Sequence, residues 1–435
     1  MLAVVVLCGA VGQANVTIDF ASNATSPLAH SWRATGWAPP LPVSEYRAYA
    51  LQESSWQTHA YIASVPNGGY EYVRIHDLLY LLRVPAGTTP QALNASRIDF
   101  SDLDAVLDMV AGEHKLALGF EFMGNLRVGH NDAGPYLFTD WRDAAQIVSW
   151  KAMVRAIAAR YSARYGAAAL ERWRFETWNE PDHACSVDKA MKAGIKCDLP
   201  SWLAYYDACA QGLMAVNPKL LFGGPGTGGS TLTTPFLPAL ISHVANASAV
   251  AARSGSPSTT KLDFLQWHEK GVLPLPGKAS NTALDVAIAT LALATDGALA
   301  RATPMGNEEV DPKGGWNEVL SWRGDARYPA AEARALNMHL TALGPLATRA
   351  SAASGLRDVQ WSYHANDNSF LNYGDVWYDQ RTLTCRFLMN ETEEKSVEVL
   401  PKPGLLLMGM LALLGDRALH SSAVIGVGAP NASAV

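Results

Sequence analysis

The sequence predicts an α/β protein folded as a (β/α)8 TIM barrel, in which eight parallel strands alternate with helices. Two observations favour this fold. Short, nearly continuous apolar runs alternate with helical patterns at the spacing of βα units. The turn after the first run lacks a Gly-x-Gly-x-x-Gly fingerprint, which argues against the alternative of an open doubly wound sheet. A barrel of this kind places its chemistry where the strands end.

The predicted strands are apolar along their length, as expected of strands that are covered on both faces. They span residues 31–37, 70–76, 115–123, 172–178, 220–224, 262–268, 303–310 and 356–363. Ser and Asp residues near the starts of several helical patterns can act as N-caps. The predicted helices span residues 100–114, 141–165, 200–217, 233–245, 281–300, 329–351 and 401–418.

The two chain ends are expected to lie outside the barrel, which takes residues 31–418. Residues 15–30 and 419–435 are rich in small residues and prone to form strands, which predicts the beginning of a β-sandwich that this sequence truncates. Residues 1–14 are apolar and small, and they predict a secretory signal peptide. A buried N-terminal strand is the alternative for that segment.

Composition excludes several classes of function. The net charge of −6 and the absence of a basic run argue against a nucleic-acid partner. The longest other apolar stretch, residues 405–414, is too short to span a bilayer. The cysteine spacing matches no zinc template, and no pattern calls for a metal or a cofactor. The oligomeric state is not indicated by the sequence.

Sequons and cysteines favour the secretory pathway. Six Asn-x-Ser/Thr sequons occur, and among them Asn94 and Asn390 are the predicted glycosylation sites. Cys185 and Cys197 bracket a short polar loop, so they can pair in an oxidising compartment. Cys209 and Cys385 lie in apolar surroundings, which predicts buried thiols.

The fourth predicted strand ends in Asn179-Glu180-Pro181, because Pro181 cannot donate to a strand ladder. A carboxylic acid at the mouth of a barrel can protonate a glycosidic oxygen, while an amide beside it holds a sugar hydroxyl. The alternative is that Glu180 only complements the dipole of a following helix. The aromatic residues around the motif favour a sugar site.

Other strand ends are also rich in side chains that suit sugar chemistry. Strand seven offers Glu308 and Glu309, and alternation predicts that one of them faces the barrel axis without indicating which. In a retaining hydrolase, apolar and carboxylate neighbours would keep Glu180 protonated. The second carboxylate would stay ionised through hydrogen bonds, for which His76 and His268 are the candidate donors and substrate contacts. The two carboxyl groups would then lie about 5 to 5.5 Å apart.

Local positive charge at the mouth favours an acidic sugar. Lys270 follows strand six, and Arg381 lies in a polar segment beyond strand eight. An ammonium and a guanidinium can both bind a carboxylate. The alternatives are a solvated lysine and an arginine that caps barrel carbonyls. Most tryptophans are expected in the core, and one or two near the mouth can stack on sugar faces.

Several motifs resemble one family. Phe-Glu-Thr-Trp-Asn-Glu-Pro-Asp-His at 175–183 resembles the acid/base signature of the iduronidase branch of glycoside hydrolase family thirty-nine. Segments at 32–42, 205–209, 366–371 and 380–387 are similar to that family in the same register. Departures include Val43, where animal members have His, and a different loop after Asp182.

The resemblance implies a retaining hydrolase that removes terminal α-L-iduronate from glycosaminoglycan chains such as dermatan and heparan sulfate, in the lysosome or outside the cell. It implies Glu180 as acid/base and Glu309 as nucleophile. Implied substrate-binding residues are Pro39, Leu41, His76, Asn179, Lys270, Gly315, Asp367 and Arg381. Two alternatives remain: a β-xylosidase of the same family, which needs neither Lys270 nor Arg381, and a glycan-binding protein or fragment without activity.

Overall fold

The structure is a computed structural model, and it describes most of the chain. The described residues are 14–18, 25–28, 30–38, 46–130, 134–185, 194–228, 231–271, 280–312, 321–343, 361–363, 383–388, 397–419 and 421–425.

Eight parallel strands form the central sheet, and they pair in chain order. Their order and the helices between them confirm the predicted (β/α)8 fold. We number the barrel strands one to eight: Ala34–Trp37, Tyr72–Ile75, Ala117–Glu121, Arg174–Glu176, Leu221–Thr227, Phe264–Trp267, Met305–Asn307 and Trp361–Tyr363. All eight predicted strands are confirmed, and the observed strands are shorter than most of the predicted ones.

Helices follow most barrel strands and pack on the outside of the sheet. The α-helices of the described residues are Tyr46–Leu51, Glu53–Ala63, Ser101–Leu107, Ala144–Tyr165, Ala167–Leu170, Pro181–Ala184, Leu199–Met214, Phe236–Ser254, Asn281–Thr295, Gly297–Ala302, Arg327–Ala342 and Pro403–Leu411. The two helices between strands one and two were not predicted. The predicted helix at 401–418 is wrong beyond Leu411, because Arg417–Leu419 is a strand.

Capping residues fix the helices that flank strand four. Asp143 accepts a hydrogen bond from the Ala145 N–H and starts the helix Ala144–Tyr165. Asp198 and Ser201 form a capping box at the start of Leu199–Met214. Tyr161 of the first helix packs on Trp173, just before strand four, and Tyr205 of the second helix stacks on Trp141, which packs edge-on against Trp178, just after that strand.

The described part of the chain also contains short strand pairs outside the central sheet. Arg83–Val84 pairs with Arg127–Val128 in parallel, and Thr384–Leu388 pairs with Val397–Pro401 antiparallel. Cys185 and Cys197, whose pairing the sequence left open, form a disulfide, and Cys209 and Cys385 are buried thiols as predicted.

The chain divides into two compact units, residues 31–414 and the two chain ends, residues 1–30 with 415–435. Within the unit of the chain ends, Ala14–Ile18 pairs antiparallel with Ser421–Ile425, and Thr25–Pro27 pairs antiparallel with Arg417–Leu419. Residues 415–418, which the sequence predicts as part of the barrel, fall in the unit of the chain ends. That these strands begin a β-sandwich stays a prediction. Among the described residues, no helix has the length and apolar character needed to cross a membrane.

Candidate active site

The ends of barrel strands four, six and seven bring three side chains into one cluster. A carboxylate oxygen of Glu180, a carboxylate oxygen of Glu309 and a ring nitrogen of His268 all lie within 4.8 Å of one another. Glu309 and His268 are buried, whereas the Glu180 side chain is 30% exposed. The two glutamates singled out in the sequence are therefore close neighbours.

Glu180 leaves strand four in a strained backbone conformation. The strand ends at Glu176, and Pro181 starts the one-turn helix Pro181–Ala184. Glu180 has φ 47° and ψ 56°, which is the left-handed region that residues with side chains rarely adopt. Its N–H donates to the carbonyl oxygen of Gly226 at 2.9 Å, so strand five holds this conformation in place. Such strain is typical of functional sites.

Two histidines contact the Glu180 carboxylate. Nδ1 of His183 lies 3.2 Å from Oε2, and Nδ1 of His268 lies 3.0 Å from Oε1. Burial raises the pKa of Glu180, but the hydrogen bonds from His183 and His268 outweigh burial and hold the pKa below its ordinary value. The expectation that its neighbours keep Glu180 protonated is therefore wrong. Burial and the charge of Glu309 raise the pKa of Glu180 and favour its protonated form, but the two imidazoles lower the pKa more strongly.

Four basic side chains surround Glu309. Lys270 Nζ lies 2.5 Å from Oε2, and Arg74 Nη1 donates to Oε1 at 3.0 Å. His76 Nε2 is 3.3 Å from Oε1, and His268 Nδ1 is 3.4 Å from Oε2. Burial raises the pKa of Glu309, but the charges of His268 and Lys270, with the hydrogen bond from His76, hold it well below its ordinary value. Glu309 is therefore ionised.

Arg74, on strand two, connects most of this site and was not among the predicted residues. Its Nε donates to Glu176 at 2.7 Å, its Nη1 to Glu309 at 3.0 Å and its Nη2 to Asn179 at 2.8 Å. It also forms an ion pair with Glu121, and its side chain is buried. One guanidinium thus ties together residues from strands two, three, four and seven.

His76 directly follows strand two and, like Arg74, contacts both Glu121 and Glu309. Its Nδ1 is 2.5 Å from Oε2 of Glu121. Burial lowers the pKa of His76, but the charge of Glu121 and the hydrogen bonds with Glu121 and Glu309 together outweigh burial, and the pKa rises to about 10. His76 is therefore a cation beside Glu309. Arg74 could have been found in the sequence as the charged residue two positions before His76 in the same predicted strand.

Both glutamates after strand seven face the site, so the expectation that only one does is wrong. Oε1 of Glu308 lies 3.5 Å from Nη2 of Arg74 and 3.4 Å from Nε2 of His268. Strand seven ends at Asn307, and the alternation of side chains does not extend beyond the strand. Glu309 is the residue that belongs to the cluster described above.

Acidic and basic groups are nearly balanced in this buried site. Burial and the charge of Glu308 raise the pKa of Glu176 to about 8, although Arg74 lowers it. Glu176 is therefore protonated at acidic and neutral pH, and the other basic and acidic groups of this network are equal in number among the described residues. The basic groups are Arg74, His76, His268 and Lys270, and the remaining carboxyl groups are Glu121, Glu180, Glu308 and Glu309.

Glu180, His268 and Glu309 also have the mutual spacing of a metal-ligand set. We do not assign them as metal ligands, because the Lys270 ammonium lies 2.5 Å from Glu309 and already supplies a positive charge there. The cluster is better described as a network of ion pairs and hydrogen bonds.

Other predicted site residues differ in what the structure shows of them. Asn179 accepts a hydrogen bond from Arg74, and its contact with a sugar hydroxyl stays a prediction. Trp37 and Trp178 are buried, and they pack edge-on against His59 and Trp141, so they belong to the core. Predicted residues that lie outside the described ones are Pro39, Leu41, Gly315, Asp367 and Arg381.

Asn94, one of the two predicted glycosylation sites, is exposed. It precedes a short 3-10 turn, and its Oδ1 accepts a hydrogen bond from the Ser96 N–H at 3.1 Å. Asn390 lies outside the described residues. Glycosylation of either residue stays a prediction.

A barrel whose strands four and seven both end in glutamates that meet in one cluster is an arrangement typical of glycoside hydrolases. Comparison with known proteins identifies the group. The family described as Glycosyl hydrolases family 39 matches residues 14–429. The chain belongs to this family.

Individual relatives show how far the similarity extends. The alpha-L-iduronidase of Homo sapiens is 36% identical over 406 residues, which cover 92% of this chain and 56% of the human protein. The structure of a bacterial orthologue of human α-L-iduronidase superposes with a TM-score of 0.71 at 30% identity, covering 95% of this chain and 61% of that one. A β-xylosidase from Caulobacter crescentus superposes with a TM-score of 0.59 at 18% identity, covering 94% and 73%, and shows the fold alone. The chain thus spans about half the length of the human relative.

Proposed function

We propose that this protein is a retaining glycoside hydrolase that removes terminal α-L-iduronate from glycosaminoglycan-type chains, such as dermatan and heparan sulfate. In this proposal Glu309 is the nucleophile and Glu180 is the general acid and base. The observation that carries it is the proximity of the two carboxylates, whose nearest oxygens lie within 4.8 Å of each other.

The separation of the two carboxylates supports retention of configuration. Retaining enzymes hold their carboxyl groups about 5 to 5.5 Å apart, whereas inverting enzymes leave about 6.5 to 9.5 Å for a water molecule between them. Oxygens within 4.8 Å suit direct attack by one carboxylate on the sugar.

The surroundings of each glutamate support its role. Glu309 is held ionised by Lys270, His268, His76 and Arg74, so it can attack the anomeric carbon without first losing a proton. As the bond from the anomeric carbon to the leaving oxygen breaks, Glu180 gives that oxygen a proton. Glu180 then takes a proton from the water that hydrolyses the glycosyl ester on Glu309.

Lys270 supports an acidic sugar as the substrate. Its ammonium lies beside the nucleophile, and its side chain is 15% exposed. A cation in that position can bind a carboxylate on the same ring that the nucleophile attacks, which a xyloside does not require. The similarity to iduronidases supports the same choice. Arg381, the second proposed cation, lies outside the described residues.

We also propose that the protein passes through the secretory pathway to a lysosomal or extracellular location. The disulfide between Cys185 and Cys197 supports this proposal, because such bonds persist in oxidising compartments. The exposed sequon at Asn94 supports it as well. The proposed partner is the oligosaccharide substrate.

The proposal is tested by hydrolysis of a fluorogenic α-L-iduronide beside the matching β-xyloside at acidic pH, with NMR detection of the first anomer released. We expect iduronide turnover with retained configuration. Xyloside turnover would favour the β-xylosidase, and no turnover of either by folded protein would favour a glycan-binding protein. Release of the inverted anomer would contradict the retaining mechanism.

Two neighbouring variants assign the nucleophile. Glu309→Gln should lower kcat by at least about 10⁴-fold, because the covalent step is lost. Glu308→Gln is the matched comparison, since the two residues are adjacent and equally buried. We expect it to lose far less activity. The reverse order of losses would make Glu308 the nucleophile.

A further inference from the structure

His183 is a side chain at the site that the mechanism above does not use. It lies three residues after Glu180 on the one-turn helix Pro181–Ala184, and its Nδ1 is 3.2 Å from Oε2 of Glu180. Its side chain is 50% exposed, whereas the other histidine on Glu180, His268, is 2% exposed. His183 thus connects the Glu180 carboxylate to solvent.

Two neighbours position the His183 ring. The buried carboxylate of Asp182 accepts a hydrogen bond from the Gly228 N–H at 2.9 Å, and its other oxygen lies 3.9 Å from Nε2 of His183. The ring also packs on Gly228, where a Cβ would stand 2.3 Å from Cε1 of His183. The absence of a side chain at 228 therefore makes room for the ring, and His183 is a positioned group although it is half exposed.

The proposed reaction needs a proton that Glu180 does not hold. Its hydrogen bonds with His183 and His268 favour the carboxylate form, yet the leaving oxygen must be protonated. His268 also contacts Glu308 and Glu309, and its positive charge helps to keep the nucleophile ionised. Loss of a proton from His268 would weaken the nucleophile site, whereas loss of a proton from His183 would not.

We propose that His183 is a positioning residue that relays a proton to Glu180 and does not touch the sugar. This inference rests on the proposed role of Glu180 as acid and base. In the first half-reaction the Nδ1–H bond of His183 breaks and an O–H bond forms on Oε2 of Glu180. That proton passes to the glycosidic oxygen as its bond to the anomeric carbon breaks and Glu309 bonds to that carbon.

The second half-reaction restores the relay. Water attacks the anomeric carbon, the ester bond to Glu309 breaks, and Glu180 takes the proton of that water. The proton then returns to Nδ1 of His183, so a full turnover gains and loses no proton. The exposed ring can also exchange this proton with solvent between turnovers.

The groups that face His183 determine the pH at which the relay gains and loses its proton. They are Glu180, Asp182 and His268, and the uncharged Gly228 packs on the ring. The hydrogen bond to Glu180 raises the pKa of His183 above its ordinary value, burial lowers it, and the charge of Asp182 raises it further. Glu180 itself also faces Glu309. The alkaline limb of kcat/KM should therefore follow the proton shared by His183 and Glu180.

The substitution His183→Asn tests the relay, because an amide keeps an N–H donor near the place of Nδ1 but holds no titratable proton. The measurement is kcat/KM against pH with an α-L-iduronide that has a poor leaving group. We expect the alkaline limb to shift to lower pH by about one unit, which is a tenfold loss on that limb. On the acidic side, the variant should stay within about twofold of wild type.

A matched control and a rescue experiment complete the test. His243 pairs with Asp207 through Nε2 at 2.9 Å and is partly exposed, so His243→Gln should leave the profile unchanged. In His183→Ala, added imidazole should restore the alkaline limb, because free imidazole can occupy the exposed position. Failure of imidazole to restore it would contradict the relay.

The outcomes separate this inference from the proposed function. Wild-type protein that hydrolyses no glycoside would overturn the role of Glu180 itself. Active wild type with an unchanged profile in His183→Asn would overturn the relay alone. A uniform loss at every pH would also overturn it, since that result indicates a structural role.

Discussion

The two glutamates of the site stand in opposite surroundings. Glu309 is buried among Lys270, Arg74 and two histidines, so its charge is fixed by neighbours that solvent hardly reaches. Glu180 lies at a strained turn with 30% of its side chain exposed, and one of its partners, His183, is 50% exposed. After their proposed roles, we call Glu309 with its buried cations the nucleophile side, and Glu180 with His183 the acid/base side. The nucleophile side is shielded from solvent, whereas the acid/base side is partly exposed.

This difference matches the work that each carboxylate would do. A nucleophile needs one protonation state until it attacks, and a buried set of cations provides that state. An acid/base residue must give up a proton and take one back in each turnover, so it benefits from a partner that exchanges with water. In the proposed mechanism, residues of the same type therefore take different roles because their environments differ.

Removal of Arg74 should give the largest loss of stability. Arg74→Met removes the buried guanidinium that Glu121 and Glu309 share, and we expect a loss of about 3 to 5 kcal/mol in the free energy of unfolding. Urea denaturation measures it. Arg33→Met removes an ion pair with the exposed Glu71 and should cost less than about 1 kcal/mol. A similar loss in both variants would contradict the shielding of the nucleophile side from solvent.

Lys270→Met should act on the Glu309 side of the site, where it removes the contact with Glu309 and the proposed binding group for the substrate carboxylate. The ammonium lies 2.5 Å from Glu309 and favours its ionised form, so its loss raises the pKa of Glu309. We expect the acidic limb of kcat/KM to move to higher pH by about one unit, with activity on that limb about tenfold lower. The alkaline limb should not move. A shift of the alkaline limb instead would mean that the two sides are not independent.

Gly228→Ala should act on the other side and give a smaller effect. The added methyl group would stand 2.3 Å from Cε1 of His183, so the ring must move away from Glu180. We expect the alkaline limb to shift in the same direction as in His183→Asn, by about half a unit or more. In the double variant Gly228→Ala/His183→Asn, the two shifts should not add, because both substitutions remove the contact between the His183 ring and Glu180. Additive shifts would show that Gly228 acts through another group.

Part of the fold and part of the site could be predicted from the sequence, and each wrong or missing prediction has a physical cause. Strand positions followed from apolar runs, and the Asn-Glu-Pro turn followed from Pro181. The helix Glu53–Ala63 was missed because it buries Ser55, Thr58 and His59 beside Ile62, so its buried face is not apolar. A periodic pattern of apolar residues cannot reveal such a helix.

The site was predictable to a similar degree. Glu180 and Glu309 stand in motifs, but Arg74 stands inside an apolar strand, where a buried arginine is not expected. His183 reaches Glu180 only because the backbone at Glu180 is left-handed and a single helical turn follows. The protonation state of Glu180 was mistaken because it depends on His183 and on His268, which follows another strand.

The smallest effect on activity should come from Glu176→Gln, which replaces a neutral acid by a neutral amide. Burial and the charge of Glu308 raise the pKa of Glu176 to about 8. Near pH 5 we therefore expect activity within about twofold of wild type, since neither side chain is charged. A large loss at that pH would show that Arg74 requires an ionised partner there.

The same substitution should change how stability depends on pH. Because the folded-state pKa of Glu176 is raised above the unfolded value of about 4.3, the folded state holds a proton that the unfolded state has lost. The contribution of Glu176 to stability is complete below the unfolded pKa and is lost as pH rises to 8, with a slope of at most about 1.4 kcal/mol per pH unit. Glu176→Gln removes this slope, and Glu71→Gln, at an exposed site, should keep it. If the free energy of unfolding changed with pH in the same way in wild type and Glu176→Gln from pH 5 to 8, the proton would be held elsewhere in the buried network.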